Sequence, residues 1–396
     1  MDRARLHRWA QRWQVRFTGT VAGGLGVVVT LAAAAAPSPP RGPVTQLGGV
    51  LFGVSAASPS AAWAVGDNFA GGASSTVLLH WNGRNWTTGA PPDPGTLWGL
   101  SSLSPDNAWA VGELEHIGPG TVFETLVLHW NGKNWTRVPS PSPGPAPVSD
   151  HLASVSALSP TDAWAVGDFQ NFGPGPVFQT LVLHWNGKKW ALAASPNPSR
   201  QFDTLYGVSV LSLSDAWAVG VSGKGSNSSQ ALVLHWNGTD WTQVPSPSPD
   251  ASRLVSVAVL SPTDAWAVGE HITSAGVHKT LVLHWNGTAW ALVPSPDPSP
   301  SESQLSSVTA LSPSDVWAVG DLITSAGVHK TLVLHWNGTA WAVVPSPSPA
   351  GLLGSNLIAV DALAPDDVWA TGNVLERGGN DRTLVLHWNG KSWTRS

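Results

Sequence analysis

The sequence predicts an all-β protein, a seven-bladed β-propeller of four-stranded antiparallel blades, and three observations carry that reading. A tryptophan-centred pattern, L-x-x-V-x-x-L-S-P-x-D-A-W-A-V-G, recurs with its tryptophan at Trp63, Trp109, Trp164, Trp217, Trp266, Trp317 and Trp369, 46 to 55 residues apart. Each copy holds four short runs of strand-forming residues separated by turn-formers. Turn signals are too frequent for helices. Four strands every fifty residues or so suit a propeller, whereas solenoid repeats are shorter, about 20 to 30 residues.

The chain begins with MDRARLHRWAQRWQVR, five of whose residues are arginines (Arg3, Arg5, Arg8, Arg12, Arg16), followed by an apolar stretch from Phe17 to Ala36. Basic start, apolar centre and small residues are the parts of a secretory signal, with cleavage expected near Ala36. The alternative is an uncleaved anchor, because about twenty apolar residues just span a bilayer. Either way the rest of the chain is expected outside the cytoplasm, secreted or held at the cell surface. Residues 37–47 read as a proline-rich linker. The propeller then occupies 48–396, with blades at about 48–93, 94–148, 149–202, 203–251, 252–303, 304–354 and 355–396.

Within a blade the sixth copy is the clearest. Its strands read as Leu305 to Leu311, Val316 to Gly320, Thr331 to Trp336 and Trp341 to Val344, with Ser-Pro-Ser-Asp turning into the second and Asn-Gly into the fourth. The first strand is rich in small residues, as blades crowded around an axis require. The second and third are apolar on both faces, as strands covered on both sides are. Proline after the fourth strand blunts the outer edge.

The chain of 396 residues contains no cysteine, which excludes disulfides, zinc-thiolate sites and cysteine nucleophiles. Without residues 1–36 it carries 15 Lys and Arg against 24 Asp and Glu. Such a chain is a poor partner for phosphate backbones or anionic lipid, so nucleic acid is excluded and membrane contact is expected only through an uncleaved N-terminal segment.

The repeat SPSDVWAVG followed by TLVLHWNGTAW resembles secreted bacterial propeller repeats, distantly related to Asp-box (neuraminidase) repeats and photosystem II assembly-factor propellers and more loosely to kelch and tectonin blades. The resemblance covers about residues 48–396 and implies the fold. Of the Asp-box pattern S-x-D-x-G-x-T-W, Gly338 and Trp341 stand at the right separation, but Trp336 and Asn337 lie where the acidic part belongs. That departure argues against sialidase-like chemistry.

Seven histidines occupy one repeat position: His80, His129, His184, His235, His284, His335 and His387. Spread once per blade around a ring, they are expected to be structural, each bonding turn backbone or the repeat's aspartate rather than a metal. The recurrent tryptophans are expected to be core. Function is sought where the repeats differ. The segments joining the second strand to the third, such as DNFAGGASST and EHITSAGVHKT, vary most, as a ligand-bearing face or simple drift would leave them. Asp67, Glu113, Asp168, Glu270 and Asp321 follow the repeat's glycine. They read either as solvated loop starts or as a channel-mouth ring attracting Ca²⁺ or a cationic partner. One residue after the leading leucine of the first strand stand Phe52, Trp98, Ala153, Tyr206, Val255, Ser306 and Ile358. The three aromatics there suit either a ligand-stacking patch or packing between blades.

No G-x-S-x-G elbow, H-E-x-x-H helix, Walker loop or dinucleotide turn is present, so no catalytic residue, metal site or cofactor is assigned. The expectation is a monomeric binding or interaction module with a glycan or protein ligand on the loop-bearing face. The competing readings are a glycoside hydrolase or lyase on the same fold and a structural envelope protein.

Overall fold

The computed structural model describes residues 47–68, 75–116, 122–144, 149–172, 176–199, 201–223, 228–377 and 380–396. The expected signal segment, residues 37–46 of the linker and parts of several variable loops lie outside them. Regular structure among the described residues is 28 β-strands. The first four, Val50–Ser58, Ala61–Asn68, Ser75–Trp81 and Trp86–Thr88, pair side by side in chain order, all antiparallel. The same set of four repeats along the chain. Three sets form separate sheets, and the others lie in two eight-stranded sheets, each joined at its middle by a single parallel pair, Phe178 with Phe202 or His329 with Gly354.

In the sixth copy the first three strands run further than the sequence implies, whereas the fourth ends one residue short of the expected Val344. The four are Glu302–Ser312, Asp315–Ile323, His329–Trp336 and Trp341–Val343. Pairs Asp321 with Thr331, Leu322 with Lys330 and Ile323 with His329 continue the ladder past Gly320. The segment between shrinks to a tight turn, in which Thr324 N–H donates to the Val328 carbonyl at 3.0 Å and Gly327 takes a φ of 74°. The turn before the fourth strand is also local. Asn337 Oδ1 accepts the N–H groups of Thr339 and Ala340, both at 3.0 Å, while Gly338 supplies the positive φ.

The core lies between consecutive sets. Each repeat tryptophan, at most 3% exposed, packs against two tryptophans of the following set. Trp266, for example, meets Trp336 at 5.0 Å and Trp341 edge-on at 5.4 Å. The last set meets the first in the same way, Trp369 lying 5.0 Å from Trp81 and 5.3 Å from Trp86. Each such ring buries about 150–250 Å², so aromatic stacking between sets is a large part of what holds them together.

The seven histidines sit on this framework. Each lies 4.2 to 4.3 Å from its own repeat tryptophan. His184, His235, His284, His335 and His387 bond Asp162, Asp215, Asp264, Asp315 and Asp367 through Nε2 at 2.8 to 3.0 Å. His129 meets Asn107 at 3.1 Å, and His80 has Ala61 in the aspartate's place. Burial lowers the titration of His80 and His129, the two that lack a carboxylate partner.

Candidate functional site: an axial cavity

The first strand of every set carries a bulge, and the bulge decides which side chains reach the axis. In the first set Leu51 pairs with Gly66 and Gly53 with Val65, which leaves Phe52 without a partner residue. The extra residue in the other sets is Trp98, Ala153, Tyr206, Val255, Ser306 or Ile358. A bulge turns its extra residue away from the regular alternation. All seven extra residues line one cavity of about 380 Å³. The bulge also explains the repeat's glycine. A Cβ on Gly66, Gly112, Gly167, Gly220, Gly269, Gly320 or Gly372 would overlap the backbone carbonyl that the bulge pushes across the ladder.

Phe52 and Trp98 face each other with ring centres 4.2 Å apart at 36°, and Tyr206 lies on the same wall level. Three residues further along the strands, Ser55, Ser101, Ser156 and Ser209 line the wall while accepting a backbone N–H from the next set at 3.0 to 3.2 Å. In the last set the corresponding residue is Asp361. Its carboxylate accepts the N–H of Ala56 at 2.7 Å and that of Ala362 at 3.1 Å, so it spans the junction between last and first sets. Burial pushes Asp361 up to about 6, against the pull of those N–H donors. It is the one charged group among the described lining residues.

The five acidic residues of the sequence reading stand elsewhere. They belong to the second strands rather than to loop starts, are at most 7% exposed, and are absent from the lining of the cavity. Each is engaged by neighbours. Asp67 accepts from the Thr96 hydroxyl of the next set at 2.6 Å and from the Ser75 N–H at 2.9 Å. Glu113 and Asp168 flank His151 at 3.6 and 3.2 Å. Burial alone would lower this imidazole, but Asp168 and Glu113 outweigh it and hold it up at about 9; burial likewise pushes Glu113 up to about 7. Glu270 lies 2.7 Å from both Arg253 and His278; burial favours its neutral form, but those two hold it below the usual range. Asp321 meets Gln304 at 2.8 Å and His329 at 2.6 Å. No cluster of three or more metal-ligating side chains occurs among the described residues.

The site therefore gathers Phe52, Trp98 and Tyr206 but not the acidic five, and it adds Asp361, which the sequence reading did not single out. Its signal was present: Asp361 breaks a serine-rich register, three residues after Ile358.

No protein-family profile matches the chain, and no curated protein matches it. Solved structures do. YCF48 bound to D1 peptide is similar at a TM-score of 0.50 and 15% identity, over 87% of this chain and 93% of that one. A PL25 ulvan lyase bound to -[GlcA(1-4)Rha3S]- is similar at a TM-score of 0.52 and 9% identity, over 89% and 96%. At these identities the likeness concerns the fold, and it makes the chain a β-propeller.

Proposed function

We propose that the chain is an exported, seven-bladed propeller that acts as a binding module, with the axial cavity as its ligand site and glycans as the ligand class. The seven-blade reading takes each eight-stranded sheet as two blades, since one parallel pair against the full antiparallel ladders within each set is a contact between blades rather than a shared sheet. Export rests on the arginine-led apolar segment at residues 1–36.

One observation carries the site: all seven bulge residues, a strand position at which the repeats differ in size and chemistry, are turned into a single cavity. A scaffold that repeats its tryptophans and glycines while varying the residues it aims at one space is built to present those residues. The volume falls at the small end of the roughly 300–1,000 Å³ typical of ligand pockets, which suits a short saccharide better than a protein element. An aromatic pair offers a flat apolar face for a sugar ring, and serine-rich walls match its hydroxyls. The two neighbours hold a peptide and a sulfated saccharide, so the fold alone does not choose between ligand classes.

A glycan array probed with the mature chain tests the reading, with Trp98→Ala alongside. Binding that weakens about tenfold or more in the variant supports it, since a buried stacking contact contributes on that scale. Retained affinity in Trp98→Ala, or an array with no bound glycan, removes the cavity as the site. Assaying arrayed glycans for cleavage separates a binder from a lyase or hydrolase.

A further inference from the structure

Resting on the glycan reading, we propose that the axial cavity takes a short saccharide carrying a free ammonium group, an unacetylated amino sugar, with its ring against the cavity side of the Phe52–Trp98 pair and its ammonium on Asp361.

Three features of the cavity lead there. The aromatic level and the Asp361 level are three residues apart along the inner strands, roughly 10 Å at strand rise, about the length of a disaccharide. Between them the wall is lined by hydroxyls, backbone and small apolar groups, with Asp361 the single charge among the described lining residues. A lone carboxylate at the end of an otherwise uncharged cavity selects for one cation. An aromatic pair at the other end accepts either a sugar face or the cation's own attraction to a ring.

The carboxylate is also held ready. A carboxylate has about four acceptor positions; the Ala56 and Ala362 N–H groups take up one on each oxygen and the Ser55 hydroxyl donates as well, which fixes the carboxylate's plane and leaves one position for a ligand in the cavity. The junction does not require a charge. Ser55, Ser101, Ser156 and Ser209 make the same contact between sets with a neutral hydroxyl. Asp361 thus performs a serine's structural role with a charge added, and the added charge is what needs a functional reason.

That comparison supplies a variant the fold tolerates, Asp361→Ser. Calorimetric titration of the full chain, above the titration range of Asp361, with three probes tests the proposal: the β-1,4-linked glucosamine disaccharide, its N-acetylated counterpart and a lysine-containing dipeptide. The expected result is binding of the glucosamine disaccharide in preference to the acetylated one. Asp361→Ser then weakens the glucosamine disaccharide about ten- to hundredfold, the range for one charge-assisted bond, and leaves the acetylated sugar unaffected. Trp98→Ala weakens both sugars. Equal affinity for the two sugars, unchanged in Asp361→Ser, overturns the ammonium assignment while leaving the glycan reading in place. Binding of the dipeptide with neither sugar overturns both and makes the ligand a peptide amine.

Discussion

Asp361 shows how much one residue changes when it stands in a serine's register. Its carboxyl titrates at about 6 in the folded chain, whereas an unfolded aspartate titrates near 4. The folded state therefore holds a proton that the unfolded state has released between those values. The sign follows: the stabilisation is complete below pH about 4 and is lost as pH rises to about 6, on the order of 2–3 kcal/mol in all. Asp361→Asn removes that proton uptake while keeping one acceptor for the Ala56 N–H. The difference in melting temperature between pH about 4 and pH about 7 is expected to shrink by several degrees in the variant. Matching pH profiles for parent and variant would mean that the folded carboxyl titrates as an ordinary one. His151 has the opposite chemistry at a site away from the cavity: its position between Glu113 and Asp168 ties the second and third sets by charge rather than by a ligand.

Among the elements, the first strand decides the site, and its bulge depends on a glycine in the strand beside it. Gly320 has no left-handed backbone requirement, unlike Gly338 in the Asn-Gly turn. Its lack of a side chain matters because the Gln304 carbonyl occupies the space a Cβ would take. Gly320→Ala is therefore expected to cost about 3 kcal/mol or more in urea unfolding, at or beyond the usual range for overpacking. Gly338→Ala is expected to cost less, about 1–2 kcal/mol, from the positive φ together with the approach of the added Cβ to the Ser314 side chain at 2.9 Å. A loss below about 1 kcal/mol for Gly320→Ala would show that the bulge can relax.

These elements also show what was legible beforehand. The tryptophan period, the four runs per repeat and the Asn-Gly turn are local patterns, and each appears at its place. The strand ends were not legible, because His329 and Lys330 join a strand only through pairing with Ile323 and Leu322. Nor was the burial of Asp67 or Glu113, which depends on Thr96 and His151 arriving from the next set. Phe52, Trp98 and Tyr206 stood out because they break a pattern. That one bulge aims all seven positions at a common space is a property of register, which no single repeat displays.

At the scale of the molecule, the two ends of the described chain meet through a short antiparallel bridge, Gly48 with Arg382, rather than through a full strand shared between them. Trp369 packs on Trp81 and Trp86, Thr383 N–H donates to the Leu47 carbonyl, and Asp361 bridges to Ala56. The last junction therefore uses the same aromatic contact as every other, so the angle between neighbouring sets must suit the number of sets that close the circle. The sequence offers a clean way to test this. The twenty residues from Ile272 recur without change from Ile323, so deleting 272–322 removes one repeat and leaves a native sequence on both sides of the cut. If seven blades set the angle, the shortened chain has to widen each tryptophan contact to close, or remain open with one interface bare. Either way it is expected to melt well below the parent and lose the axial cavity, and with it the saccharide binding proposed for that cavity, while its strand content per residue persists. Melting, titration with the glucosamine disaccharide and far-ultraviolet circular dichroism read these three consequences separately, and small-angle scattering reads whether the ring has closed. A shortened chain as compact and as stable as the parent would mean that the interfaces do not fix the number of blades, and that the cavity's diameter is not set by the packing of tryptophan on tryptophan.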